Sequence, residues 1–177
     1  MRFIVQLAAI VAVSFAGGQV LLLVQDDVWL ALAAGLVTAV VATLVYHLVV
    51  RWSEKRAVTE VAARTAASGL IRGALLGVAL FSAVIGNIAF NGGYRVEGLS
   101  GTPGNAIGLF GFMAAAAVTE ELLFRGVLFR HAERWTGTWL AFVLSAALFG
   151  AGHLLNPNAD WWGAVCVAVA GGGMLTS

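Results

Sequence analysis

Three ionisable groups stand inside an otherwise apolar run. Residues 114–129 read Ala-Ala-Ala-Ala-Val-Thr-Glu-Glu-Leu-Leu-Phe-Arg-Gly-Val-Leu-Phe, with Glu120, Glu121 and Arg125 in the middle. At the centre of a membrane helix each such charge costs roughly 2.5–3.5 kcal/mol, so they survive where they face a protein interior or a wet cavity. Glu121 and Arg125 are four apart, share a helix face and can pair. Glu120 lies about 100° around the helix from Glu121 and is less well placed to pair along its own helix. A carboxylate without a fixed partner in such surroundings suits general acid–base work. The alternative is a structural ion pair near the inner boundary, with Glu120 snorkelling to water.

The next apolar run supplies a partner. It reads Ser145-Ala146-Ala147-Leu148-Phe149-Gly150-Ala151-Gly152-His153. Phe149 and His153 are four apart and share a face with Ser145, while Gly150 and Gly152 allow another backbone to approach. A lone histidine in a membrane helix is often a hydrogen-bonded packing group. Here it follows a carboxylate pair by one helix, which favours a shared site. Asn156 lies one turn further on. It either orients the His153 ring or ends the helix before Pro157.

The remaining candidates are weaker. His47, beside Tyr46, Arg51 and Trp52, reads as interfacial. His131, among Arg130, Glu133 and Arg134, reads as a solvated residue of a cytoplasmic loop. The single cysteine, Cys166, excludes an intrachain disulfide and any cysteine-based metal cluster, and reads as an inert packing residue.

The elements that must hold these groups are membrane helices. The chain is 60% hydrophobic and 11% charged, and its mean hydropathy is +0.92. A soluble domain carries about 25% charged residues, so water could not cover this surface and lipid could. Six apolar segments stand out, at 3–24, 28–50, 73–90, 106–129, 139–155 and 161–176. The expected fold is therefore all-α, a polytopic transmembrane helix bundle of about six membrane helices, forming a single membrane domain over residues 1–177. The first segment has a basic start at Arg2 and small residues around Ser14-Phe15-Ala16, features of a signal peptide. Its apolar run continues to Val24, which favours a retained helix. Gly17-Gly18, Gly73 with Gly77, and Gly171-Gly172-Gly173 are expected to allow close helix contact.

Orientation follows from the basic residues. With the N-terminus in the cytoplasm, Arg2, Arg51, Lys55, Arg56, Arg64, Arg72, Arg130 and Arg134 lie inside and only Arg95 lies outside. Arg125 is within a segment and does not count. The outer loops, 25–27, 91–105 and 156–160, hold acids, Gly, Asn and Pro. The basic stretch 53–71 reads either as a solvated loop or as a short helix on the inner membrane surface, with Val58, Val61 and Ala62 at helical spacing. A net charge of +1 gives no global field for nucleic acid.

The pattern Glu120-Glu121-x-x-x-Arg125, followed by Phe149-x-x-x-His153 on the next helix, resembles the CPBP family. These are the CAAX prenyl proteases of the Ras-converting type and the related bacteriocin-processing and self-immunity proteins. The run Thr119-Glu120-Glu121-Leu122-Leu123-Phe124-Arg125-Gly126 is similar to the family's first motif, and the likeness extends from about residue 105 to 177. The resemblance implies an intramembrane endopeptidase in a bacterial plasma membrane, acting on a peptide or protein substrate with lipid around it. By motif position Glu120 would activate the water and His153 help to hold it. Glu121 and Arg125 would anchor the site, and Phe149 would support His153. The family carries a metalloprotease label, in which case Glu120, Glu121 and His153 would hold a divalent metal such as zinc. Zinc catalysis usually takes three protein ligands and an open position, so a glutamate-activated water without a cofactor is the favoured reading.

One feature of the family is absent. Its third motif, a His followed four residues later by Asn or Asp, is thought to stabilise the oxyanion, and no histidine follows His153. The expectation is a truncated or degenerate member, inactive as it stands. The rival readings are a non-catalytic immunity or scaffold protein and a small proton-coupled transporter, for which inverted repeats would be the mark. The sequence contains no internal repeat. Depth along the helices leaves one mismatch. Glu120 lies about 15 Å and His153 about 21 Å from the inner side at 1.5 Å per residue, a gap that tilt can absorb.

Overall fold

The computed structural model describes residues 1–61, 63–93, 98, 103–157 and 159–174. Arg95, Ala62 and Thr176, which enter the sequence expectations, lie outside them. The described residues are helical and contain no strand. The helices are α1 (Arg2–Val24), α2 (Val28–Glu54), α3 (Ala63–Phe90), α4 (Pro103–Glu121), a π-helical segment (Leu122–Phe129), α5 (Arg130–Thr136), α6 (Thr138–His153) and α7 (Trp161–Met174). Among these residues, four stretches are long and apolar enough to cross a membrane: Arg2–Val24, Val28–Glu54, Ser68–Phe90 and Gly104–Thr136. The last runs through α4, the π-helical segment and α5 as one rod. Thr138–His153 and Trp161–Gly171 are shorter apolar helices. Large apolar side chains stay on the outer surface along the whole length, as lipid solvation requires. The protein is an integral membrane helix bundle.

Local chemistry sets the boundaries. Asp27 caps α2, its carboxylate accepting from the backbone N–H of Trp29 and Leu30 at 2.9 and 3.0 Å. Lys55 ends α2 in the left-handed conformation (φ 53°), donating its N–H to the Arg51 carbonyl. Gly137, at φ 81°, separates α5 from α6 where a side chain would be strained. The Asp160 carboxylate accepts from Gly163 N–H at 2.7 Å and opens α7.

The described chain forms two compact units, Met1–Arg56 with Gly104–Ser177, and Ala57–Pro103. The second unit is essentially α3. That helix begins at Ala63, ten residues before the apolar pattern, so the basic stretch 53–71 is not a separate surface helix. Its first residues end α2 and its last ones belong to α3. In the first unit α1 packs on α2 and on the π-helical segment, and α6 packs on α7.

Glycines permit these approaches, though not all of those expected. Gly17 faces the Thr38 side chain, Gly35 faces the Gly111 backbone, and Gly150 faces Ala164 and Ala168 of α7. Space beside Gly18, Gly73 and Gly77 is open among the described residues. Cys166 is exposed on α7 rather than packed, which corrects its expected role.

His131 also differs from expectation. It is buried on α5, 6% exposed, rather than solvated in a loop. Its Nδ1 lies 2.9 Å from the Val127 carbonyl, and its ring meets Phe3 and Trp135. Beside it is a polar cluster centred on Glu54, whose side chain is 5% exposed. Arg130 Nη1 reaches the carboxylate at 2.6 Å, Arg56 Nε at 2.7 Å, Gln6 Nε2 at 2.9 Å and Arg134 Nη2 at 3.3 Å. Gln6 closes the ring by accepting from Arg130 Nη2 at 2.9 Å and donating to Ser53 Oγ at 2.8 Å. This cluster ties α1, α2 and α5 together at one end of the unit.

Candidate active site

The site begins with the change of helical pitch after Glu121. From Leu122 to Phe129 the backbone follows the wider π-helical path. Such stretches are rare, and where they occur they often mark functional sites. The segment is held from outside. Buried Tyr46 on α2 donates its hydroxyl to the Gly126 carbonyl at 3.1 Å, and Arg130 Nε donates to the same oxygen at 2.8 Å. Gly126 makes this contact possible, since a Cβ there would sit 2.7 Å from the Tyr46 ring.

On the other side of the rod, a cavity of about 190 Å³ opens between the α4–π junction and the end of α6. Glu120, Phe124, Phe149, Gly152, His153 and Asn156 line it. The mismatch in depth between Glu120 and His153 is therefore absorbed, since both line the same cavity. With 16 residues, α6 spans about 24 Å, less than the roughly 30 Å of hydrocarbon.

His153 is held in a defined way. Its Nδ1 lies 2.8 Å from the Phe149 carbonyl. A carbonyl only accepts, so Nδ1 carries a proton, which leaves Nε2 as the ring nitrogen able to serve as an acceptor. The Phe149 ring stands edge-on to His153 (centroids 4.7 Å, 61°) and to Phe124 (4.9 Å, 87°). Gly171 of α7 leaves room for Phe149, because a Cβ there would lie 2.6 Å from that ring. Phe149 thus contacts His153 through both its backbone carbonyl and its ring.

Glu121 and Arg125 pair at 2.6 Å, as their spacing predicted. They do not line the cavity, and Glu121 is exposed on the bundle surface. Asn156 lines the cavity, and its backbone N–H donates to the His153 carbonyl at 3.1 Å. The ring is oriented through Nδ1 by Phe149 instead. Ser145 is buried on α6 away from the cavity lining. The sequence reading missed Phe124, although it lies four residues after Glu120 and that spacing could have placed it.

No group of three His, Cys, Asp or Glu among the described residues is placed to hold a metal ion. Glu121, the third candidate ligand, is directed to Arg125. The donor set does not fit a three-ligand zinc site.

Two carboxylates, one of them paired, and a histidine across a cavity from the other form the arrangement to be identified. Residues 102–176 match the family Rce1-like, the type II CAAX prenyl endopeptidase Rce1-like proteins. No curated protein and no solved structure matches the chain. The Rce1-like segment takes in α4 to α7 and with them every residue of the cavity. It starts close to where the motifs placed the resemblance, and α1 to α3 lie outside it.

Proposed function

We propose that the cavity between Glu120 and His153 is a site of peptide-bond hydrolysis within the membrane, of the CAAX-protease type. The observation that carries this reading is that Glu120 and His153 line one small cavity, and we take the Glu120 carboxylate and His153 Nε2 as its two acceptors. A water has two protons to donate and fits between two acceptors. Glu120 takes one proton as the water oxygen attacks the peptide carbonyl carbon, and His153 holds the other. The carbonyl π electrons move to oxygen. When the tetrahedral intermediate collapses, the C–N bond breaks and Glu120 returns its proton to the leaving amine. Glu121 and Arg125 hold the helix phase that aims Glu120, and Phe149 with Phe124 fixes the imidazole.

The Rce1-like match over residues 102–176 supports this reading. The test is cleavage of membrane-anchored peptides, CAAX-type tails among them, by the purified protein in proteoliposomes. Cleavage that disappears in Glu120→Gln and His153→Ala, with melting temperature unchanged, is the expected result. Cleavage that persists in Glu120→Gln removes the proposal. The topology expected from the basic residues, with the N-terminus in the cytoplasm of a bacterial cell, belongs to the same reading.

A further inference from the structure

The Glu54 cluster has chemistry that the cavity does not use. Arg130 spends its donors on Glu54, Gln6 and the Gly126 carbonyl. Arg134 is different. Only Nη2 reaches Glu54, at 3.3 Å, and the side chain is 52% exposed. The rest of its planar fork of donors remains for another acceptor. Arg56 meets the same carboxylate through Nε at 2.7 Å. One buried carboxylate thus gathers three guanidinium groups that would otherwise repel one another. Across residues 51–56 and 130–134 the chain has five cationic and two anionic residues, so these two segments carry a net positive charge.

Its level in the bilayer is marked by its neighbours. Trp52 on α2 and Trp135 on α5, adjacent in sequence to the cluster, are 72% and 73% exposed. Exposed tryptophan favours the headgroup level. Leu48, one turn above Trp52, is 63% exposed and offers apolar surface to an acyl chain. Guanidinium forks match phosphate oxygens in pairs, and basic sites between membrane helices take anionic headgroups.

The geometry points to a binding site for the phosphate of an anionic phospholipid at the junction of α2 and α5, seated on Arg134 with Arg56 beside it, and with Glu54 holding the two in place. A lipid fits better than a soluble phosphate because tryptophan and apolar helix surface adjoin the charges. The site is separate from the cavity, and its test does not depend on hydrolysis.

The experiment uses the whole protein in phosphatidylcholine nanodiscs with increasing phosphatidylglycerol. Native mass spectrometry reads retained lipid and a melting curve reads stabilisation. Phosphatidylglycerol should be retained over phosphatidylcholine and should raise the melting temperature. Arg134→Gln should weaken that retention about fivefold, the weight of one basic contact at an anionic surface. Arg134→Lys, which keeps the charge and loses the fork, should restore part of it. Arg72→Gln, which removes one charge from α3, should leave retention unchanged. Equal weakening by Arg134→Gln and Arg72→Gln would show diffuse attraction and overturn the site. The same stabilisation from inorganic phosphate alone would overturn the lipid as ligand. Equal retention of both lipids would overturn both.

Discussion

Replacing Glu54 by alanine should be among the most damaging single changes in the first unit. The carboxylate is 5% exposed and accepts from four side chains. In Glu54→Ala, Arg130, itself 14% exposed, keeps its contacts to Gly126 and Gln6 but loses its counter-charge. Breaking a buried pair by removing one partner costs about 3–5 kcal/mol. The contact to half-exposed Arg134 adds little, since exposed pairs contribute roughly 0–1 kcal/mol. For a domain of this size each kcal/mol corresponds to about 2–4 °C. Melting in detergent should therefore fall by about 6–20 °C in Glu54→Ala and by no more than a few degrees in Arg134→Gln. Glu54→Gln, which keeps acceptor and donor atoms without the charge, should fall between them. A Glu54→Ala protein melting within 2 °C or so of the wild type would refute the cluster as the tie between α1, α2 and α5.

Other outcomes follow from the same geometry. Arg125→Ala removes the 2.6 Å partner of Glu121 and should cost on the order of 2.5–3.5 kcal/mol, the scale of a lone charge in a membrane helix. Glu120→Gln should melt close to the wild type, and the reverse order in detergent melts would exchange the two roles. Gly171→Ala should displace Phe149 and lower activity or change the His153 ring resonances without unfolding the protein; unchanged resonances would show that α7 does not position Phe149. Cysteines placed at Ser53 and Ser100 in a Cys166→Ser background should differ toward an impermeant reagent, and labelling of 53 but not 100 in intact cells would reverse the topology.

Much of the architecture was legible because lipid leaves few options for an apolar chain. The segment 3–24 matched its helix and the segment 73–90 matched the end of its own but not the start, and the i,i+4 rule placed Glu121 with Arg125 and Phe149 with His153. The π-helical segment was not legible, since nothing in Leu122–Phe129 distinguishes a wider turn from an α-helix before Tyr46 and Arg130 are seen on the Gly126 carbonyl. Glu54 escaped because the topology argument weighs only basic residues, and a single acid among Arg51, Lys55 and Arg56 looks like a solvated neighbour. Gln6 and His131 belong with it, as polar residues whose burial is decided by partners on other helices. Phe124 escaped because Glu120 and Arg125 on either side drew the argument to charge rather than to shape.

The central claim is that Glu120 activates a water against a peptide carbonyl beside His153. Peptide cleavage in heavy-oxygen water, followed by mass spectrometry of the products from wild type and Glu120→Gln, tests it most directly. The account predicts a new carboxylate carrying the heavy oxygen from the wild type and none from a Glu120→Gln protein that melts normally. Labelled product in equal amount from Glu120→Gln would contradict it.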